Sequence, residues 1–252
     1  HCARSLPMVH LRPLLANRPK GPMKKVFHTM EKSFPHCGKP SHLFLFDLDG
    51  TLIDSRTDLA AATNRMRALH QLPPLPIDLI TTFVGDGIRT LAVRALEGTS
   101  VDPDLAAAEI GQAYDEHLTD TTTVYPGVES GLRALHSAGH VLALVTNKPG
   151  PHAKRLFEHF AWTPLFAILL GGGDTPELKP SPLPLNTAIE HTGFSTTDTF
   201  MVGDHHTDLE AARRAGVRSI FLSSGFGHPG NEKPDLVFAD FSAFVDHFLR
   251  PT

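Results

Sequence analysis

Two acidic residues separated by one leucine form the clearest candidate for a reactive pair in the sequence. Asp47 and Asp49 lie in the segment FDLDGTLIDS (46–55), directly after a short apolar run. If that run is a buried parallel strand, ligands bind beyond its carboxyl end, and Leu48 points away from them. Carboxylates this close repel each other unless a cation or a shared proton relieves them. The spacing therefore predicts a Mg²⁺ site with a nucleophile and an acid or base in one loop, the alternative being an ordinary Asx and glycine turn.

Polar residues follow other apolar runs in the same way. Thr146 and Asn147 come after VLALV, Asp204 comes after TFMVG, and Lys179 lies in the proline-rich loop GGGDTPELKPSP after FAILL. Taken alone, Thr146, Asn147 and Asp204 are also typical of a helix cap or a turn, and Lys179 is also typical of a solvated charge. Because parallel strands end at a common edge, we expect all four side chains to converge with Asp47 in one crevice.

Six short segments have the pattern of buried strands, since each is continuously apolar and ends near Gly, Asp or Asn. They occupy residues 43–47, 141–146, 166–170, 199–203, 219–222 and 235–238. Segments with helical spacing of apolar residues lie between them, such as Val128, Leu132 and Leu135. The alternation of strand and helix predicts an α/β fold with a largely parallel sheet, each strand buried on both faces.

About ninety residues separate the first two predicted strands, far more than one crossover helix requires. Apolar residues recur there at helical spacing, and no segment has the pattern of a strand. We expect a helical cap over residues 59–124, carried by a core domain formed from residues 41–58 and 125–252.

Charge and composition exclude several classes of protein. The 252 residues are 41% hydrophobic and 20% charged, which is typical of a globular chain, and no apolar run is long enough to span a membrane. Residues 1–40 carry eight Lys or Arg against one acidic residue, so residues 41–252 hold 15 basic and 26 acidic residues. A body this acidic does not favour nucleic acid as a partner, because a polyanion requires clustered basic residues.

Residues 1–40 have a different character from the rest of the chain. They are interrupted by prolines and show no sustained period, so we expect a poorly ordered basic extension: an upstream extension, an artefact or a targeting segment. Both cysteines, Cys2 and Cys37, lie in this segment. The body therefore has no disulfide or CxxC site, which favours a reducing, cytoplasmic compartment.

The segments DLDGT (47–51) and GDHHTD (203–208), with Thr146 and with Lys179 followed by Pro180, resemble the four ordered motifs of the haloacid dehalogenase superfamily. The resemblance covers most of residues 43–240. DSRTDLAAATN, FVGDGIRTL, VYPGV, LKPSPLPL and DLEAARRAGV are similar to its phosphoglycolate phosphatase branch. It implies a Rossmann-like parallel-sheet core with an inserted helical cap, acting as a phosphoric monoester hydrolase.

The resemblance also implies roles for the residues singled out above. Asp47 is expected to attack phosphorus and form an aspartyl phosphate, while Asp49 acts first as an acid and then as a base. Mg²⁺ is expected on the carboxylates of Asp47 and Asp204 and the main-chain carbonyl of Asp49, with Mn²⁺ as a possible substitute.

The remaining motif residues are expected to support the transferring group. Thr146, Asn147 and Lys179 would bind the phosphoryl oxygens and stabilise their charge. Asp208 would bind a metal-coordinated water or orient Lys179. His205 and His206 stand where relatives commonly have Ser at the first position. They either shift the metal preference toward Mn²⁺ or Zn²⁺, or point to solvent or cap the next helix.

Substrate selection is assigned to the cap. Gly85 allows a tight loop to approach the substrate, and Arg89 either binds a small carboxylate or is exposed at a helix start. The leading hypothesis is a Mg²⁺-dependent phosphatase that converts 2-phosphoglycolate, a small metabolite, to glycolate and phosphate. Sugar phosphate or pyrophosphate hydrolysis, a phosphosugar mutase and a catalytically silent interaction module stay open. The chain is expected to be a monomer or a homodimer.

Overall fold

The structure is a computed structural model that describes residues 41–250, so the expectation for residues 1–40 lies outside the described residues. The main sheet consists of six parallel strands: β1 (Leu43–Phe46), β4 (Val141–Pro149), β5 (Phe166–Gly172), β6 (Thr199–Gly203), β7 (Arg218–Leu222) and β8 (Leu236–Phe238). Their spatial order is β5-β4-β1-β6-β7-β8. The α/β fold with a parallel sheet is confirmed, and each predicted strand segment is present.

The central strand β1 explains why the sheet needs helices on both faces. Phe44 and Phe46 point into one apolar cluster, and Leu43 and Leu45 point into another. The first cluster continues into the helices α5 (Val128–Ser137), α6 (Gly150–His159) and α9 (Phe241–Leu249). The second continues into α7 (Leu183–Thr192) and α8 (His206–Ala215).

The edge strands depart from the prediction of burial on both faces. β5 and β8 lie at the two edges of the sheet, and both contain exposed or half-buried residues. Val237 in β8 is 58% exposed. An edge strand has a neighbour on one side only, so a continuously apolar run can be partly open to solvent.

The long interval between β1 and β4 contains a short antiparallel ribbon that encloses four helices, and then α5. The ribbon pairs β2 (Ile53–Asp54) with β3 (Thr123–Val124), and the helices between them are α1 (Arg56–Leu69), α2 (Ile77–Thr81), α3 (Ile88–Ala95) and α4 (Pro103–Glu116). The expectation of no strand was wrong here, because strands of two residues leave no periodic pattern. The domain boundaries at residues 59 and 124 stay a prediction.

One buried carboxylate fastens the two ends of this insertion. Asp58, in the first turn of α1, accepts hydrogen bonds from the main-chain and hydroxyl groups of Thr121 and Thr122. The chain therefore returns to β3 beside the point where it left β2. Within residues 41–250, no helix combines the length and the apolar character needed to span a membrane.

Candidate active site

The loop after β1 is shaped by a close approach to Asp204. Asp47 follows the strand directly, and Leu48 turns into the apolar core as predicted. Gly50 has a φ of +88°, and a Cβ atom at this position would lie 2.1 Å from Asp204 Oδ2. Thr51 Oγ1 then donates a hydrogen bond to Asp204 Oδ1 at 2.9 Å. The DGT sequence is thus explained by packing against a carboxylate that comes from β6.

The carboxylate of Asp49 is held by a buried lysine that the sequence analysis did not single out. Lys148 Nζ lies 2.9 Å and 3.0 Å from the two oxygens of Asp49, and 2.8 Å from the hydroxyl of Tyr114 on α4. Ser55 Oγ donates to Asp49 Oδ1 at 2.5 Å. Burial alone would lower the pKa of Lys148, but the charge of Asp49 and the contact with Tyr114 raise it above its usual value. Lys148 is therefore a cation in this site.

Lys179 connects two other carboxylates. Its Nζ lies 2.7 Å from Asp208 Oδ1 and 3.0 Å from Asp47 Oδ1, and it also donates to the main-chain oxygen of Val145 at 2.6 Å. Burial opposes the charge, yet Asp208 and Asp47 together raise the pKa of Lys179. The structure thus places Lys179 between Asp208 and Asp47.

An acidic cluster that can hold a metal ion lies beside this lysine. One carboxylate oxygen each from Asp47, Asp204 and Asp208 lies within 4.8 Å of the others, and all three residues are buried. Burial and the charges of Asp208 and Asp47 raise the pKa of Asp204 well above its usual value. Burial and the charge of Asp47 raise the pKa of Asp208 to about 7, although the charge of Lys179 opposes this shift. The carboxylates repel each other and would be relieved by a divalent cation.

Asn147 acts as a clip between three segments. Its side-chain amide donates to the main-chain oxygens of Gly85 at 2.9 Å and Lys179 at 2.8 Å, and its Oδ1 accepts from Lys179 N–H at 2.8 Å. Both amide hydrogens are therefore engaged within the chain. Asn147 positions the loops around the site in this structure rather than offering a donor to a ligand.

β4 runs further than the sequence indicated and contains Thr146, Asn147 and Lys148 within its bounds. Its pairing with β5 is irregular between Val145 and Pro149. Irregular pairing can re-aim side chains at the end of a strand, which explains how three consecutive polar residues all line one cavity. Thr146 is buried, and its Oγ1 accepts from Lys148 N–H at 3.3 Å.

A cavity opens above these residues, closed on the other side by the inserted helices. Asp47, Asp49 and Lys148 supply its charged wall. Its other wall is mostly apolar and includes Leu59, Val84, Gly85, Gly87, Ile88, Leu91 and Tyr114. His152 also lines it, and burial lowers the pKa of this imidazole.

Of the two cap residues proposed from the sequence, the structure brings one to the cavity. Gly85 lines it, and a Cβ atom there would lie 2.7 Å from the ring of His205. Arg89 does not line it: its side chain is 66% exposed and forms an ion pair with Asp104. Arg89 lies on the first turn of α3, whose buried residues are Leu91, Ala92 and Ala95, so its side chain faces solvent.

The two neighbouring histidines differ in environment. His205 is buried and caps α8, since its Nδ1 faces the N–H and hydroxyl of Thr207, while Asp208 accepts from His205 N–H. Burial and the neighbouring His206 lower the pKa of His205 to about 4. His206 is partly exposed. Among residues 41–250, these imidazoles group with each other and not with the acidic cluster.

This arrangement is suited to attack by a carboxylate on an anionic centre. Asp47 Oδ1 is buried, and it lies 3.0 Å from the ammonium group of Lys179. A second carboxylate, Asp49, lies in the same cavity and has its own cation. Two carboxylates with different partners can take the separate roles of nucleophile and proton carrier.

The chain is similar to known proteins over most of its length. A family model described as haloacid dehalogenase-like hydrolase matches residues 44–222. A phosphoglycolate phosphatase from Psychrobacter arcticus is 38% identical over 220 residues, which covers 82% of this chain and 96% of that protein. Another from Chromobacterium violaceum is 40% identical over 207 residues, covering 80% and 93%. The crystal structure of a predicted phosphoglycolate phosphatase from Haemophilus somnus has a TM-score of 0.78 and 31% identity, covering 84% and 99%. The resemblance predicted from the motifs is confirmed.

Proposed function

Since the chain belongs to the haloacid dehalogenase-like hydrolases, we propose that it is a Mg²⁺-dependent phosphatase that hydrolyses 2-phosphoglycolate to glycolate and phosphate. The observation that carries this proposal is the buried Asp47 carboxylate, 3.0 Å from Lys179 Nζ, in a cavity whose wall also holds Asp49 and the cation Lys148. The similarity to phosphoglycolate phosphatases over most of both chains supports the substrate.

The proposed reaction has two steps that share the two carboxylates. Asp47 attacks phosphorus, the bond from phosphorus to the glycolate oxygen breaks, and Asp49 gives its proton to that leaving oxygen. Asp49 then removes a proton from water, whose oxygen attacks phosphorus and releases phosphate with regeneration of Asp47. Lys179, 3.0 Å from Asp47 Oδ1, and the hydroxyl of Thr146 stabilise charge on the phosphoryl oxygens.

The acidic cluster fits Mg²⁺ by its chemistry. Its donors are carboxylate oxygens, which this hard cation prefers, and burial together with the charges of Asp208 and Asp47 raises the pKa of Asp204. The ion would be held by Asp47 and Asp204, and by the main-chain carbonyl of Asp49. When bound, it neutralises charge between an anionic nucleophile and an anionic substrate.

Lys148 supplies the charge that a substrate carboxylate requires. It is the one lysine or arginine that lines the cavity in the described part of the chain, and its side chain is only 2% exposed. A carboxylate close to the transferring phosphate can share this ammonium group with Asp49 and accept from the Tyr114 hydroxyl. The apolar residues opposite offer few partners for the hydroxyl groups of a sugar, which disfavours a phosphosugar substrate.

Kinetics on matched esters test this function. Purified full chain with Mg²⁺ is assayed against 2-phosphoglycolate, ethyl phosphate and a hexose phosphate, and in parallel as the Asp47→Asn and Lys148→Met variants. We expect the highest kcat/KM for 2-phosphoglycolate and no turnover with Asp47→Asn. In Lys148→Met, kcat/KM should fall about 10–100-fold more for 2-phosphoglycolate than for ethyl phosphate, because a charge-assisted hydrogen bond is lost.

Lys154→Met is the matched control, because Lys154 is exposed and pairs with Asp174 away from the cavity. It should leave the substrate preference unchanged. A preference for the hexose phosphate would contradict the substrate assignment and leave the chemistry intact. Retained turnover in Asp47→Asn would contradict the chemistry itself.

A further inference from the structure

Three histidines converge outside the cavity, where the loops after β6 and β7 meet the loop between α2 and α3. One ring nitrogen each from His205, His206 and His228 lies within 4.8 Å of the others. The ring centroids of His205 and His206 are 4.1 Å apart, and those of His206 and His228 are 5.4 Å apart. None of the three rings lines the cavity. The proposed phosphatase chemistry gives this cluster no role.

The nitrogens of His206 have the environment expected of a metal ligand. Its Nδ1 is buried and has no hydrogen-bond partner among residues 41–250. Its Nε2 lies 3.8 Å from Asp86 Oδ1, and the other oxygen of Asp86 is fixed by Arg94 at 2.6 Å. Metal-binding histidines commonly present their second nitrogen to a carboxylate, which sets the tautomer and the ring orientation. In His205, Nδ1 faces Thr207 at 3.0 Å, which leaves Nε2 as the donor atom.

We propose that His205, His206 and His228 bind one transition-metal cation such as Zn²⁺, at a site separate from the carboxylates that hold Mg²⁺. Imidazole nitrogens suit Zn²⁺ and its neighbours in the first transition row, whereas Mg²⁺ selects oxygen donors. Three protein ligands leave a fourth position for water. Asp86 orients His206 from outside the coordination sphere.

The site connects two parts of the chain. Gly85 packs on the ring of His205, and Asp86 faces His206, so the α2–α3 loop rests on two of the ligands. His228 comes from the loop after β7 and is exposed. An ion bound to all three rings would fix the loops after β6 and β7 together beneath the α2–α3 loop.

Metal binding can be measured directly on the full chain in saturating Mg²⁺. Co²⁺ serves as a spectroscopic probe through its visible d–d absorption, and Zn²⁺ binding is measured by competition with a chelating indicator. We expect the wild type to bind one Zn²⁺ more per chain than His228→Ala, and His206→Ala to lose the same ion. Asp86→Asn should weaken this binding by roughly 10–100-fold, as loss of an orienting partner does.

Two matched variants separate this site from others. His191→Ala removes an exposed histidine on α7 and should bind Zn²⁺ as the wild type does. Asp204→Asn changes the acidic cluster and should keep the Co²⁺ absorption that depends on His228. Equal Zn²⁺ binding by the wild type and both histidine variants would overturn the proposal. Loss of the Co²⁺ signal in Asp204→Asn, or displacement of Zn²⁺ by Mg²⁺, would overturn its separation from the acidic site.

Discussion

Asp47 and Asp49 are two residues apart, yet they face different partners. Asp47 lies in the acidic cluster with Asp204 and Asp208, whereas Asp49 lies between Ser55 and Lys148. Asp49 has a hydroxyl donor and a lysine on its carboxylate and lies outside that cluster. Different surroundings are what allow two identical side chains to act as nucleophile and as acid.

Replacement of Asp49 by alanine tests the acid role through the leaving group. With 2-phosphoglycolate, whose departing alkoxide needs a proton, we expect kcat to fall about 10²–10⁴-fold. With an aryl phosphate, whose leaving group departs without a proton, the loss in the first step should be much smaller. Single-turnover rates with the two esters make the comparison, since they isolate that step. An equal loss with both esters would contradict acid catalysis by Asp49.

Among the residues of the site, the sequence indicated the carboxylates and Lys179 but not Lys148. Asp47, Asp49 and Asp204 follow strand ends, and the sheet brings these ends together because parallel strands end at one edge, while Lys179 reaches Asp47 from the loop after β5. Lys148 was missed, although a lysine within an apolar strand segment is itself a signal of a buried charge. Its contacts with Asp49 and Tyr114 span 99 and 34 residues, so they depend on how the insertion folds back.

The position of the β4 end relative to its neighbouring loops depends on the clip formed by Asn147. Replacing Asn147 by alanine removes three hydrogen bonds to the main chain at Gly85 and Lys179. We expect a loss of about 1–3 kcal/mol in the free energy of unfolding and a fall in kcat, because Lys179 is no longer held beside Asp47. Urea unfolding and steady-state kinetics measure the two effects.

Asn64 provides the matched control for this clip. It joins α1 to Leu75 by two hydrogen bonds of the same type, away from the cavity. Asn64→Ala should therefore lower stability by a similar amount without a comparable fall in kcat. If both variants lost activity in proportion to stability, the clip would have no specific role in positioning Lys179.

The starts of β1 and β4 carry a pair of histidines that makes stability depend on pH. The rings of His42 and His140 are stacked 5.6 Å apart. Burial, and then the neighbouring His42, lowers the pKa of His140 to about 4. The unfolded chain binds a proton on this histidine below about pH 6.5, whereas the folded chain does so only near about pH 4. The contribution of neutral His140 to the free energy of unfolding is therefore full above about pH 6.5 and is lost as the pH falls toward about 4.

His140→Gln should therefore flatten the pH dependence of unfolding. Between about pH 7 and about pH 5, the free energy of unfolding of the wild type should fall by on the order of 2 kcal/mol more than that of the variant. Urea midpoints at the two pH values give this difference. His191→Gln, at an exposed position on α7, should follow the wild type. A parallel dependence in His140→Gln would show that the pair does not titrate as described.

Elements were predicted where their periodicity was long enough to read. The strands of the main sheet and the helices α1, α3 and α4 have clear patterns of apolar residues. The five-residue helix α2 and the two-residue strands β2 and β3 do not, since these elements are too short for a periodic pattern to repeat. The order of the strands in space could not be read either, because it depends on long-range pairing.

The distribution of charge over the whole molecule opposes the approach of an anionic substrate to the site. Residues 41–252 carry 26 acidic against 15 basic residues, so the field around the body repels small anions. Within the described part of the chain, the buried cation Lys148 lines the cavity, and the buried cation Lys179 lies next to Asp47, which also lines it. These two lysines offset part of the charge of the carboxylates around them, and a divalent cation in the acidic cluster would offset more of it.

Removal of Mg²⁺ tests the global consequence of burying Asp47, Asp204 and Asp208 together. A ligand at 100 times its Kd stabilises a fold by about 2.7 kcal/mol, so chelation should lower the Tm by roughly 5–10 °C. Asp204→Asn should lose this Mg²⁺-dependent shift and unfold in chelator at or above the wild-type Tm, because one of the mutually repelling buried charges is gone. Glu158→Gln, at an exposed position on α6, should keep the shift. Calorimetry with and without Mg²⁺ measures all three proteins, and an Asp204→Asn variant that retained the full shift would place the ion elsewhere.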